Sequence, residues 1–168
     1  DDIWVTGELG TAALGLAKLQ NKIQIPESLS KKAIRALEKP MLHSSIIKSM
    51  GRLSHSAIDI SDGLIADLTH ILEASNVGAN IFLKDIPMST WIKKNKLFDI
   101  GLSGGDDYQL LFTAPKKNRN KINLVSKMPS IKLVRIGSIQ KDKSLNIIDH
   151  KGMQYKLKKG GYDHFETK

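Results

Sequence analysis

The sequence predicts an α/β (α+β) fold, a mixed β-sheet with helices packed against it. Three observations predict it. Short apolar runs such as "IWVT" and "SAIDI" alternate with segments of helical period through most of the chain. Glycines break the chain where one type of segment gives way to the other, as at Gly7, Gly10 and Gly63. Late in the sequence two strand-like runs flank the turn "DHKG", a hairpin signal.

The elements follow in order. Ile3 to Thr6 reads as a short strand. Ala12, Ala13, Leu14, Leu16, Ala17 and Leu19 then form a helical face of mostly small residues, suited to close packing on a sheet. Ser30 to Leu37 reads as a second helix, ended by Lys39-Pro40, and Ser44 to Met50 as a third. Ser56 to Ile60 is a mostly apolar strand, expected to be buried. Leu64, Ile65, Leu68, Ile71 and Leu72 make one stripe of a helix that stops at Asn76 to Gly78. Ala79 to Leu83 reads as a strand and Ser89 to Lys94 as a short helix. The first half of "SGGDDYQLLFTA" reads as a loop and Tyr108 to Phe112 as a strand. Lys121 to Lys127 is helical, Leu133 to Ile139 is a strand, and Leu145 to Ile148 pairs with Met153 to Leu157. No interior linker or repeat divides the 168 residues, so one domain is expected.

Composition narrows the function classes. The chain has no cysteine, which excludes disulfides and thiolate metal sites. No apolar run has the length of a membrane span and no signal peptide is visible, so a cytoplasmic setting is expected. The net charge is +9, yet few aromatics accompany the lysines. A base-stacking surface is missing, and a nucleic-acid partner is not expected.

Three stretches could carry chemistry. "DISDGL" places Asp59 at the carboxyl end of a strand, with Ser61 and Asp62 before a helix. Strand ends of this kind bind ligands in open α/β sheets. Carboxylate oxygens suit Mg²⁺, a helix start suits phosphate, and Gly63 lets a ligand approach. The same residues fit a plainer role, with Ser61 or Asp62 as an ordinary helix cap. "SGGDDYQL" is either a tight turn that aims two carboxylates into a site or a turn into a strand. "GGYDHF" is either an aromatic cover for a flat ligand or an anchor for the tail. His43, His55, His70, His150 and His164 show no ligand spacing, and no G-x-x-x-x-G-K-[ST] loop is present.

Taken together and in this order, "AIDISDGLIADLTHILEASNVGA", "LSGGDDYQLLFT" and "GGYDHF" resemble thiamine-monophosphate kinase. "VTGELGTAALGLAKLQ" and "IRALEKP" resemble further segments of that family, so the likeness covers nearly the whole chain. The family is similar to aminoimidazole-ribonucleotide synthetase, selenophosphate synthetase and a hydrogenase-maturation protein. The resemblance implies the second, partly ferredoxin-like domain of that superfamily. It implies transfer of the ATP γ-phosphoryl group onto thiamine monophosphate, giving thiamine diphosphate, with Mg²⁺ required. Asp59 and Asp62 match the family's Mg²⁺ carboxylates, and Ser61 matches a residue at the ATP phosphates. Asp106 matches a Glu that faces the thiamine substrate, and Tyr162 or Phe165 a terminal aromatic near the thiamine ring.

The chain departs from the family pattern at three places: Asp106 for Glu, Thr11 for a frequent Asp, and Lys39 for an Arg before Pro40. Nothing in it resembles the family's N-terminal domain with its "GDDAA"-like segment. Residues 1–168 are therefore expected to be a single C-terminal kinase domain, inactive alone and partnered by that absent domain, with a homodimer for the intact enzyme. The alternatives are a non-catalytic, partner-binding module derived from the kinase, or another ATP-dependent synthetase of the superfamily.

Overall fold

A computed structural model describes residues 1–41, 44–126 and 132–157. The first strand, β1 (Asp2–Thr6), is buried along its whole length. Its side chains alternate: Ile3 and Val5 enter one apolar core and Trp4 enters another on the opposite face. The helix α1 (Thr11–Leu19) and the helix α2 (Glu27–Glu38) follow as a close pair. Gly15 permits this, because a Cβ there would overlap the Ala33 carbonyl. Helix α2 begins a turn earlier than the sequence reading, with Pro26 at its N-cap.

After α3 (Ser44–Met50) come β2 (Ser56–Ile60), α4 (Leu64–Ser75) and β3 (Gly78–Phe82). Two short helices, α5 (Thr90–Lys94) and α6 (Phe98–Ser103), precede β4 (Gln109–Ala114). The remainder is α7 (Arg119–Val125), β5 (Leu133–Gln140) and β6 (Leu145–Ile148). The described strands form one sheet in the order β2-β4-β1-β5-β3-β6. Only the β3–β6 pair is parallel, so the sheet is mixed, as the sequence predicts.

The larger core lies between the sheet and α1, α2, α4 and α6, built on Val5, Leu14, Leu64, Leu68, Leu102 and Leu111. The smaller core on the other face joins Trp4, Phe112, Ile46, Met50 and Ile122. The Trp4 and Phe112 rings lie parallel there, 6.4 Å apart. Each such fully buried apolar side chain contributes about 1.5–3 kcal/mol. Asp2, buried at the outer end of β1, is held by two Arg119 hydrogen bonds of 2.5 and 2.7 Å. The guanidinium holds the Asp2 carboxyl below the usual range against the opposing effect of burial.

Two expectations are corrected. Strand β2 is an edge strand, and Ala57 and Asp59 on it are exposed rather than buried. A run of apolar residues reads as a buried strand, but here only Ile58 and Ile60 turn to the core side. The loop expected from Ser103 is present at residues 104–108, preceded by a short helix, α6, where the sequence reading assigned no element. Residues after the "DHKG" turn fold back, but as the isolated bridge Ile148–Gln154 rather than a second strand.

Register fixes where the site lies. Strands β1 and β2 both run antiparallel to β4, with Ile60 opposite Gln109 and Val5 opposite Leu111. The ends of β1 and β2 therefore meet the start of β4, and three loops converge at one end of the sheet.

Candidate functional site at the sheet end

The first loop leaves β2 through Ser61, Asp62 and Gly63. Gly63 is the N-cap of α4 with φ 113°, and no side chain caps it. A Cβ at Gly63 would lie 2.8 Å from the Ser103 carbonyl carbon, so only glycine fits this junction. The expected caps, Ser61 and Asp62, are thus displaced by one position. The free amides are instead gathered by Asp67, one turn into the helix. Its Oδ2 accepts the backbone N–H of Ser61, Asp62 and Gly63, each at 3.1 Å.

Asp67 is only 2% exposed. Burial pushes its carboxyl up, the three amides work against that, and the nearby Asp62 charge adds to it. These amides are occupied and are not a ready phosphate cradle. The loop's outward offer is its side chains: Ser61 and Asp62 are half-buried, and Asp59 is exposed.

The second loop, "SGGDDYQ", is stitched to the first by backbone. The Asp106 N–H donates to the Ser61 carbonyl at 2.9 Å, and the Tyr108 N–H to the Ile60 carbonyl at 2.8 Å. Gly105 sits against the Ser61 carbonyl, where a Cβ would overlap it. Asp106 (φ 64°) and Tyr108 (φ 48°) are both left-handed. This contour separates two adjacent aspartates. Asp106 is half-buried beside Ser61, whereas Asp107 turns inward and is 6% exposed.

Asp107 holds the third loop. Its carboxylate accepts the Gly10 N–H at 2.5 Å and the Ala12 N–H at 3.2 Å, which fixes the start of α1. Burial raises its pKa to about 6, while the amides of Gly10, Ala12 and Thr11 pull the other way. Beside it Thr6 Oγ1 donates to Gln109 Oε1 at 2.8 Å and accepts the Leu110 N–H at 2.8 Å.

The structure therefore brings Asp59, Ser61, Asp62 and Asp106 to one end of the sheet. Tyr162 and Phe165 lie outside the described residues. The sequence reading missed Asp67 and Asp107 as the residues that shape the site. An acidic residue in the first turn of a helix was the available signal for Asp67. His70, read as a histidine without ligand spacing, is exposed on α4, and with Asp62 and Asp67 it keeps ligand atoms within 4.8 Å of one another. Carboxylate oxygens without any thiolate suit a hard cation such as Mg²⁺, which binds through one or two carboxylates and keeps other positions for phosphate and water. Asp59 is exposed and Asp62 half-buried, whereas Asp67 spends Oδ2 on backbone amides.

A mixed sheet with helices packed on it, with exposed and half-buried carboxylates at one end and buried aspartates bracing their loops, defines an α/β domain with a candidate site at the sheet end. Comparison with known proteins gives it a family. The family described as AIR synthase related protein, C-terminal domain, matches residues 1–150, and the chain belongs to it. Thiamine-monophosphate kinase of Buchnera aphidicola subsp. Schizaphis graminum is 39% identical over 175 residues, covering 98% of this chain and 53% of the relative. A solved thiamine-monophosphate kinase from Stenotrophomonas maltophilia superposes with a TM-score of 0.79 at 31% identity, over 92% of this chain and 51% of that one. AaThiL complexed with AMPPCP and TMP superposes with a TM-score of 0.78 at 27% identity, over 98% of this chain and 51% of that one. The chain thus spans about half the length of the curated relatives it matches. The expected fold and the resemblance to the thiamine-monophosphate kinases are both borne out. Among the described residues, no helix is long and apolar enough to cross a membrane.

Proposed function

We propose that this domain supplies the C-terminal half of an ATP-dependent thiamine-monophosphate kinase. The observation that carries the reading is the likeness to kinases of that name along nearly the whole chain, joined to strand-end carboxylates held outward by internal bracing. The reaction moves the terminal phosphoryl group of ATP onto a phosphate oxygen of thiamine monophosphate. The bond to ADP breaks as the new diphosphate bond forms. Little covalent chemistry falls to the protein, which positions two phosphorylated molecules and offsets their charge.

In this reading Asp59 and Asp62 hold Mg²⁺, and the ion, when bound, neutralises charge on the transferring phosphoryl group. Ser61 contacts the ATP phosphates. Asp106 faces the thiamine substrate, one methylene shorter than a Glu at that place. Tyr162 or Phe165 lies against the thiamine ring. The remaining half of the site comes from a domain equivalent to the half of the relatives that this chain does not span. The intact protein is cytoplasmic and pairs as a homodimer.

The test joins this chain to the N-terminal half of the Buchnera relative and measures thiamine diphosphate formed from ATP, Mg²⁺ and thiamine monophosphate. Turnover is expected, with a loss of about 100-fold or more in Asp62→Asn. A folded fusion with no turnover, or one indifferent to Asp62→Asn, would contradict the reading.

A further inference from the structure

The kinase reading leaves a cavity beside the candidate site unused. It lies between the end of α2 and the loops that leave β1 and enter β4 and β5. Its volume is about 380 Å³, within the range of small-molecule pockets. Arg35 and Lys39 line it from the end of α2, Lys132 from the residue before β5, and the neighbours Lys32 and Glu8 line it together. Lys32 is answered by Glu8 Oε2 at 2.7 Å. Arg35, Lys39 and Lys132 have no ion-pair partner among the described residues. Its lining sets the cations of Lys32, Arg35, Lys39 and Lys132 against the carboxylates of Glu8 and Asp107, so the cavity carries a net positive charge, which favours an anion.

Two orphaned atoms sharpen its chemistry. Thr11 is 4% exposed and lines the cavity, and its Oγ1 is buried without a hydrogen-bond partner among the described residues. Glu8 Oε1 is likewise buried and unpartnered. Leaving such atoms unmet in a folded protein costs about 1–3 kcal/mol each, so a partner is expected. Glu8 Oε1 can only accept, whereas Thr11 Oγ1 can donate.

We propose that this cavity binds a phosphorylated small molecule whose body carries a hydroxyl or amino group. The phosphoryl oxygens meet the cations of Arg35, Lys39 and Lys132 and accept from Thr11 Oγ1. Glu8 Oε1 accepts from the body of the ligand. Ala36, Pro40 and Met41 supply an apolar wall for that body. The cavity shares Asp107 and Gln109 with the frame of the candidate site but is not lined by Asp59, Ser61, Asp62 or Asp106, and the inference does not depend on the kinase reading.

The test follows backbone amides of the 168-residue chain by NMR during titration with ribose 5-phosphate, inorganic phosphate and ribose. Ribose 5-phosphate should give saturable shifts centred on Thr11 and on residues 35–39. Inorganic phosphate should bind the same residues about tenfold more weakly, and ribose should give no saturable shift. Arg35→Glu and Lys39→Glu, both at exposed positions, should each weaken ribose 5-phosphate about tenfold or more while the rest of the spectrum stays unchanged. Thr11→Val should weaken it severalfold; should that variant fail to fold, the two exposed substitutions decide. Shifts scattered over surface lysines, shifts centred on Ser61 and Asp62, or affinity indifferent to Lys39→Glu would overturn the proposal.

Discussion

Two helix starts in this domain are held by buried aspartates, and they are held over different distances. Asp67 reaches back within its own helix and gathers three consecutive amides on one oxygen. Asp107 reaches across the fold from the start of β4 to Gly10 and Ala12, using both oxygens. The first shapes a loop; the second ties two distant parts of the chain together. Both satisfy amides that a helix leaves unpaired at its N-terminus. Both are buried, and their backbone bonds fix the loops around them. In a carboxylate-rich segment, then, some acids build the frame and others face what the frame presents.

The largest expected effect tests the long-range clamp. Asp107→Ala leaves the Gly10 and Ala12 amides buried without an acceptor. It should cost about 3 kcal/mol in urea unfolding at pH 5. Its neighbour Asp106 is half-buried, and Asp106→Asn keeps a residue that tolerates the left-handed backbone there. That variant should stay within about 0.5 kcal/mol of the parent. Equal costs at the two positions would break the division between frame and face.

The local brace should matter less. Asp67→Ala frees three amides, but these lie on a partly open loop where water can reach some of them. A cost of about 2 kcal/mol is expected. Hydrogen exchange should quicken at Ser61, Asp62 and Gly63 and stay slow at Gly10 and Ala12. Quickening at both places would show that the two starts are one cooperative unit.

The most gradual effect is a pH slope. The folded pKa of Asp107, about 6, lies above the unfolded carboxylate value of 3.8. Between about pH 4 and 6 the folded chain keeps a proton that the unfolded chain has released. The stability due to Asp107 is therefore greatest at low pH and falls as pH rises, by up to about 1.4 kcal/mol per unit, levelling above pH 6. Asp2 works in the opposite direction, because its carboxyl is held low and its contribution is lost as pH falls. The difference between parent and Asp107→Asn across pH 4–8 isolates the Asp107 slope. A flat difference would remove the claim that burial dominates at this site.

Much of the fold is legible in the sequence, for particular reasons. The stripe of Leu64, Leu68, Ile71 and Leu72 could only be the buried side of a helix, and α4 is that helix. The Gly7 and Gly10 break required a turn, and both residues have positive φ. Strand β2 was placed correctly along the chain but not in the sheet. "SAIDI" says that a strand exists; which strand lies at the edge depends on β4 being its only partner in the sheet. The site shows the same limit. "DISDGL" points to Asp59, Ser61 and Asp62, but the acceptor for the loop amides, Asp67, lies beyond the motif. "GGDDY" cannot say which aspartate is inside. That is decided by the left-handed backbone at Asp106 and Tyr108, and by the amides of a loop far away in sequence.

The central claim is that the acids divide: in the proposed function Asp59 and Asp62 face a hard cation, whereas Asp67 and Asp107 accept backbone amides. The most direct test is Mn²⁺ titration of the chain, a paramagnetic stand-in for Mg²⁺, read as broadening of backbone amides. Broadening should centre on residues 59–62 at low Mn²⁺, vanish in Asp59→Asn/Asp62→Asn, and leave Gly10 and Ala12 sharp. Broadening centred on Gly10 to Ala12, or persisting unchanged in the double variant, would contradict the division.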